Sequence, residues 1–202
     1  MKLDHIMFAV ADLDHGIELI RDLTGVAPAF GGVHPGHGTR NALLSLGEDQ
    51  YLEVIAPDPE QQLEGTMAEE LLQSPPHIRQ WAAMTDDFDH LKHHIEHAGF
   101  RYRVMDMART TPVGLHLAWQ ILFVEDHPYG AAMPFFIDWL ESPHPAASTP
   151  KGCSLERFNV QSPQGNTLRE FFGAIGLKAG VDNGELAMSS EIQSPAGPVS
   201  LA

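Results

Sequence analysis

The feature that most constrains this chain is that it repeats itself. Residues 5–14 read HIMFAVADLD and residues 80–89 read QWAAMTDDFD. Each is an apolar, strand-like run that ends in acidic residues and leads into a helical pattern. After 5–14, Ile17, Ile20 and Leu23 recur at helical spacing, and Gly25 follows as a left-handed cap. After 80–89, Leu91 and Ile95 share one helical face and the pattern stops near Gly99. Asp14 and Asp89 suit the helix amino termini, where free backbone N–H groups favour a carboxylate.

Further strand-like runs follow each helix. In the first unit they are 29–31, 41–46 and 50–55; in the second, 102–107, 117–124 and 134–140. Each unit therefore reads βαβββ, which predicts an α+β fold of two paired modules, at about 1–58 and 77–142, forming one domain over 1–142. The segment 57–76 is polar and flanked by proline, with a short helical pattern at 67–72, and serves as the connector. A break rich in Pro, Ala and Ser at 143–150 precedes a shorter copy. There, 157–160 is a strand candidate, 167–175 a helix ending at Gly176, and 181–188 with 191–201 a closing pair. This predicts an incomplete third βαββ module over 151–202, packed on the first two.

Side chains alternate across a strand, so residues two apart share a face. Ile6, Phe8 and Val10 suit the helix side, which leaves Leu3, His5, Met7 and Ala9 on the other. Tyr51, Glu53 and Ile55 line up in the fourth strand, Gln80, Ala82 and Met84 in the first strand of the second unit, and Phe136, Asp138 and Leu140 in its last. Each run sets one polar residue into apolar surroundings. An unsatisfied buried polar group costs ~1–3 kcal/mol. Convergence of the four on a divalent metal would satisfy them together, and imidazole with carboxylate and amide oxygens suits zinc, nickel, iron or manganese. Taken singly, each has an ordinary structural explanation; the matched positions in the repeat raise the joint reading. A slip of one residue in the 80–84 strand would turn Trp81 toward the cavity instead.

Composition excludes several classes. The net charge of -15 repels phosphate backbones and anionic lipid surfaces, so neither nucleic acid nor membrane is an expected partner. No apolar run reaches the ~18 residues of a membrane span, and Asp4 and His5 interrupt the apolar amino terminus where a signal peptide would be continuous; a cytoplasmic location is expected. The one cysteine, Cys153, permits no intrachain disulfide and no zinc site built on paired cysteines.

Several other residues bear on a site. The segment 31–41 combines Gly31, Gly32, Gly36 and Gly38 with His37, Arg40 and Asn41, and reads as a cavity-edge loop. His37, Arg40 and Asn41 are candidates for contact with a polar or anionic substrate, against an ordinary solvated loop. Trp119 is a candidate cavity wall as well as a core residue. Arg109, ahead of a Thr110–Thr111–Pro112 turn, is compatible with solvent or ligand. His90, His93, His94 and His97 crowd one helix at i, i+4 spacing but carry no HExxH pattern, and read as a solvated face.

The strings LDHIMFAVADLD, YLEVIAPD, FVEDHPYG and PFFIDWL resemble the vicinal-oxygen-chelate superfamily. GGVHPGHGTRNALLSLG followed by YLEVIAPDP resembles its glyoxalase-like domain proteins. The resemblance covers residues 1–142 well and the tail loosely. It implies paired βαβββ modules curved around a cavity, with ligands, in metal-dependent members, drawn from the first and fourth strands of each module. Carried over, these are His5, Glu53, Gln80 and Asp138. His5 and Glu53 match the pattern; Gln80 stands for the commoner His and Asp138 for the commoner Glu.

Three functions follow as expectations. The first is metal-assisted lyase, isomerase or dioxygenase chemistry on a small molecule, with Glu53 or metal-bound water as base. The second is metal-free binding or sequestration of a small molecule in the same cavity. The third is a structural or regulatory module whose cavity is filled by its own side chains. The modules can pair within one chain or across a homodimer.

Overall fold

The computed structural model of the chain describes residues 1–111 and 114–202. Pro112, part of the expected turn after Arg109, lies outside the described residues.

The first module runs β1 (Lys2–Ala9), α1 (Leu13–Thr24), β2 (Ala29–His34), β3 (Thr39–Ser45) and β4 (Tyr51–Pro57). A short helix, α2 (Met67–Leu71), lies in the connector. The second module runs β5 (His77–Met84), α3 (Phe88–His97), β6 (Arg101–Thr110), β7 (His116–Glu125) and β8 (Phe135–Asp138). Asp12 and Asp87 cap α1 and α3 by accepting from the backbone N–H groups of His15 and His90, while Asp14 and Asp89 sit in the first turns. The left-handed Gly25 ends α1 as expected.

All eight of these strands form one sheet in the order β2-β3-β4-β1-β5-β8-β7-β6. Within each module the first strand lies parallel to the fourth, β1 to β4 and β5 to β8. The modules join inside one chain where β1 meets β5 antiparallel. The alternation separates two apolar layers. Ile6, Phe8, Val54, Trp81 and Phe136 pack with the helices, whereas Met7, Ile55, Ala82, Phe135 and Ile137 face the concave side. Leu3 departs from its expected face. The β1–β5 register shifts between Leu3 and His5, so Leu3 packs with the helix layer and Asp4 and His5 hydrogen-bond side by side.

Trp81 is fully buried in the helix layer against Phe158 and Phe172, so the one-residue slip does not occur. Both of those phenylalanines belong to the carboxy-terminal unit: β9 (Ser154–Ser162), α4 (Gly165–Ala174), β10 (Gly180–Asn183), β11 (Ala187–Ser194) and β12 (Gly197–Leu201). This unit has one strand more than the expected βαββ. The run 181–188 reads as a single strand in sequence, but a turn over 184–186 splits it. Its pairing also differs from the modules, because β9 lies parallel to β10, the first strand after its helix, in a separate sheet ordered β10-β9-β11-β12.

Candidate active site

The concave face encloses a cavity of about 740 Å³, within the usual range for small-molecule pockets. The third expected function, a cavity filled by its own side chains, is thereby disfavoured. The two modules furnish it unequally. His5, His34, Asn41 and Glu53 make the first module's wall polar, while Trp119, Ile121, Phe123, Phe135 and Ile137 give the second a largely apolar wall, broken by Arg79, Gln80 and Arg109.

His5 lies on the floor, 3% exposed, stacked on Tyr51 with centroids 4.6 Å apart. Its Nδ1 is 2.5 Å from Asp4 Oδ1. Asp4 is fully buried, and its Oδ2 accepts from Trp139 Nε1 at 2.9 Å and lies 3.1 Å from His144 Nε2. Burial pushes the Asp4 carboxyl up, but hydrogen bonds from His144 and His5 outweigh it and lower the pKa to about 2. A charged Asp4 makes His5 Nδ1 the donor and leaves Nε2 facing the cavity, the arrangement in which a carboxylate orients a ligand or general-base histidine.

Glu53 is placed by the parallel register that sets it opposite Met7 in β1. Its Oε2 is 3.5 Å from His5 Nε2, and its Oε1 accepts from Asn41 Nδ2 at 2.6 Å. Two lone-pair atoms facing each other across 3.5 Å are satisfied by a shared proton or cation. His34 Nε2 approaches Glu53 Oε1 at 3.8 Å. Burial lowers the His34 pKa; Glu53 opposes this, and Arg109 adds to it. Burial, reinforced by Asp4 and Glu53, raises the Tyr51 pKa well above its ordinary value, so this hydroxyl stays neutral.

Of the other expected residues, His37, Asn41, Trp119 and Gln80 line the cavity. Most of the expected 31–41 loop is strand, with His37 in the turn between β2 and β3. Arg40 is not part of the lining: Thr39 and Asn41 face inward, and alternation sends Arg40 to the opposite face. Asp138 also lies outside. Ile137 and Trp139 face the cavity on either side of it, and its Oδ1 accepts from Leu140 N at 2.8 Å in a turn that ends β8. The register explains the miss. Gln80 is to β5 what His5 is to β1, so the counterpart of Met7 is Ala82, and the residue paired with Ala82 is Phe135. Phe135, not a carboxylate, occupies the position equivalent to Glu53.

Among the described residues, no group of three His, Cys, Asp or Glu side chains is arranged to hold a metal ion. A mixed set is available in His5 Nε2, the Glu53 carboxylate and Gln80. Gln80 Nε2 donates to Met133 O at 3.2 Å, while its Oε1 is buried with no partner. That orphaned oxygen, with an oriented imidazole and a carboxylate, fits a divalent cation held by three protein ligands.

Sequence reasoning missed Asp4 and His34, and left Arg109 open between solvent and ligand. Asp4 was hidden because strict alternation assigns neighbours such as Asp4 and His5 to opposite faces. No helix of the described residues is long and apolar enough to cross a membrane.

Residues 3–175 match the glyoxalase-like domain family. No curated protein sequence matches the chain. A hypothetical protein from Staphylococcus aureus has a similar structure, with a TM-score of 0.69 and 20% identity over 92% of this chain and 87% of that one. A Streptomyces coelicolor methylmalonyl-CoA epimerase in complex with 2-nitronate-propionyl-CoA has a TM-score of 0.51 and 22% identity, over 71% of this chain and 97% of the epimerase. A methylmalonyl-CoA epimerase in complex with methylmalonyl-CoA and NH4+ has a TM-score of 0.50 at 22% identity, with the same coverage of 71% and 97%. At such identities the likeness is one of fold. The family match spans most of the chain, and the paired βαβββ modules agree with it: the chain belongs to the glyoxalase-like domain family of the vicinal-oxygen-chelate superfamily.

Proposed function

We propose that the protein is an enzyme that moves a proton on a small carbonyl compound bound in the cavity, in lyase- or isomerase-type chemistry assisted by a divalent metal. The observation that carries this reading is the Asp4–His5–Glu53 line on the cavity floor. Asp4 orients His5, His5 faces Glu53, and Asn41 pins Glu53 Oε1 so that Oε2 remains on the His5 side. A carboxylate held in one orientation beside an apolar wall suits a general base acting on a C–H next to a carbonyl. His5, Glu53 and Gln80 would hold the metal, which when bound supplies Lewis-acid polarisation of the substrate oxygens. Zinc, nickel, iron and manganese all suit this donor set.

The test is exchange of substrate C–H for deuterium in D2O, followed by NMR. The compounds are 2-oxo acids, hemithioacetals and acyl thioesters; the last are included because neighbours of the same fold are described with CoA esters. Glu53→Gln should slow exchange by ~100-fold or more. Equal rates in the variant and the wild type would remove Glu53 as the base. Metal content after purification without chelator tests the metal. No transition metal above background, together with no change in thermal stability on adding nickel, zinc, iron or manganese, rejects it.

A second reading, metal-free binding of a small amphipathic compound, is favoured by Phe135 in the place of a second carboxylate and by the aromatic wall around it. It predicts ligand stabilisation that survives chelator, and no exchange in any compound tested.

A further inference from the structure

Two arginines line the cavity, and they differ in one respect. Arg79 is bound to Glu70, Nη2 to Oε2 at 2.6 Å, so its charge is already answered. Arg109 is 7% exposed, and among the described residues no carboxylate lies within ion-pairing distance of it. Its one side-chain hydrogen bond there is from Nη1 to Asn41 Oδ1 at 3.1 Å, a neutral acceptor. A guanidinium has five N–H donors. None of its nitrogens is among the buried, unpartnered atoms, and the side chain lines the cavity. Burying a cation without an anion is costly, and a site that accepts the cost has an anion to come.

The backbone is shaped to hold this side chain. A Cβ on Gly31 would lie 2.9 Å from Arg109 Nη1 and 2.5 Å from Asn41 Oδ1. One on Gly32, whose φ is +147°, would lie 3.2 Å from Arg109 Nη1. Two glycines in β2 thus make the bed in which an arginine from β6, at the far edge of the sheet, lies flat. The same Asn41 amide that accepts from Arg109 donates to Glu53. One small side chain therefore fixes the arginine and the carboxylate relative to each other.

From this we infer that Arg109 receives a carboxylate of the ligand. Its planar fork matches a carboxylate bidentately, and the short Arg109–Asn41–Glu53 path sets the reacting C–H a few bonds from that carboxylate. The substrate class is then a small carboxylic acid with a carbonyl or acidic C–H near the acid group. This inference rests on the proposed cavity chemistry for the second half of that statement; the anion site itself does not.

Calorimetric titration of the full chain tests it, with pyruvate, malonate, succinate and benzoate, their methyl esters, and inorganic phosphate. The expected result is that at least one acid binds ~10-fold or more tightly than its ester, a preference that Arg109→Met abolishes and Arg109→Lys reduces. Thermal unfolding without ligand checks that both variants fold; if Arg109→Met does not, the acid-to-ester ratio in Arg109→Lys decides. The inference is overturned if no acid binds, if acid and ester bind alike, if phosphate alone binds, or if the ratio is unchanged in the variant that folds. Glu53→Gln should keep the acid preference while losing exchange. An intact acid preference in a wild type that exchanges no proton would reject the proposed reaction and leave the anion site standing.

Discussion

Replacing Asp4 by Asn isolates the group that organises the cavity floor. Asp4 is fully buried and takes hydrogen bonds from Trp139, His5 and His144. Its carboxyl falls from 3.8 to about 2 because the hydrogen bonds outweigh the opposing effect of burial. At 1.36 kcal/mol per unit this is about 2.5 kcal/mol of stability at neutral pH. The folded-state value is the depressed one, so the contribution is complete above the ordinary carboxyl value near pH 4 and drains away between about pH 4 and pH 2. Asn cannot keep this arrangement, because its amide N–H either meets an existing donor or forces His5 into the other tautomer with its proton on Nε2 beside Glu53, adding about 1–2 kcal/mol. Asp4→Asn should therefore unfold about 3.5–4.5 kcal/mol more easily at pH 7, which lowers Tm by roughly 7–18 °C in a chain of this size. Urea unfolding, followed by tryptophan fluorescence at pH 7, 5, 4 and 3, measures the gap. The charge-dependent part should be constant from pH 7 to 5 and shrink below pH 4. A gap under ~0.5 kcal/mol at pH 7, or one that does not change down to pH 3, would refute the argument that charged Asp4 holds His5.

Three further outcomes are expected. Phe135→Glu supplies the carboxylate that the register denies to Asp138; it should destabilise the metal-free protein by about 1–3 kcal/mol and tighten nickel binding by ~10-fold or more in competition with a chelating dye, whereas unchanged affinity rejects the register assignment. Gly31→Ala forces a methyl against Asn41, Arg109 and Leu43; it should cost about 1–3 kcal/mol in urea unfolding and weaken carboxylate binding in the same titrations, and a neutral result would mean that β2 yields easily. Trp81→Ala removes a fully buried ring from between Phe158 and Phe172. It should cost about 3–5 kcal/mol and raise protease cleavage within 154–201 more than within the cavity strands; equal sensitivity throughout would show that the carboxy-terminal unit is not held by this contact.

The two modules were legible because β1 and β5 each pair an apolar run with an acidic helix start, and period-two alternation then identifies the inner faces. His5 and Glu53 followed from that alternation. Asp138 did not, because pairing between β5 and β8 sets the register there, and composition is silent about pairing. The last run offers one carboxylate, and reading it as the ligand overlooked Phe135 three residues earlier. Asp4 was lost for a related reason: an irregular step in β1 lets adjacent residues serve one site, which no strict period can anticipate. The extra strand of the carboxy-terminal unit was missed because a short turn interrupts what looks continuous. The local sequence left Arg109 open between solvent and ligand, since its meaning depends on two glycines 77 and 78 positions earlier in the chain.

The unequal furnishing of the cavity has a consequence for stereochemistry. Duplication gives the sheet an approximate two-fold axis through the β1–β5 seam, and a symmetric cup would admit a small molecule in either of two headings. Here the axis holds for the backbone and fails for the side chains. Rotating a bound compound by half a turn would carry its polar end from His5 and Glu53 to Gln80 and Phe135, exchanging an imidazole and a carboxylate for an amide and a phenyl ring. The broken symmetry therefore selects one heading, and with it one face of the reacting carbon is presented to Glu53.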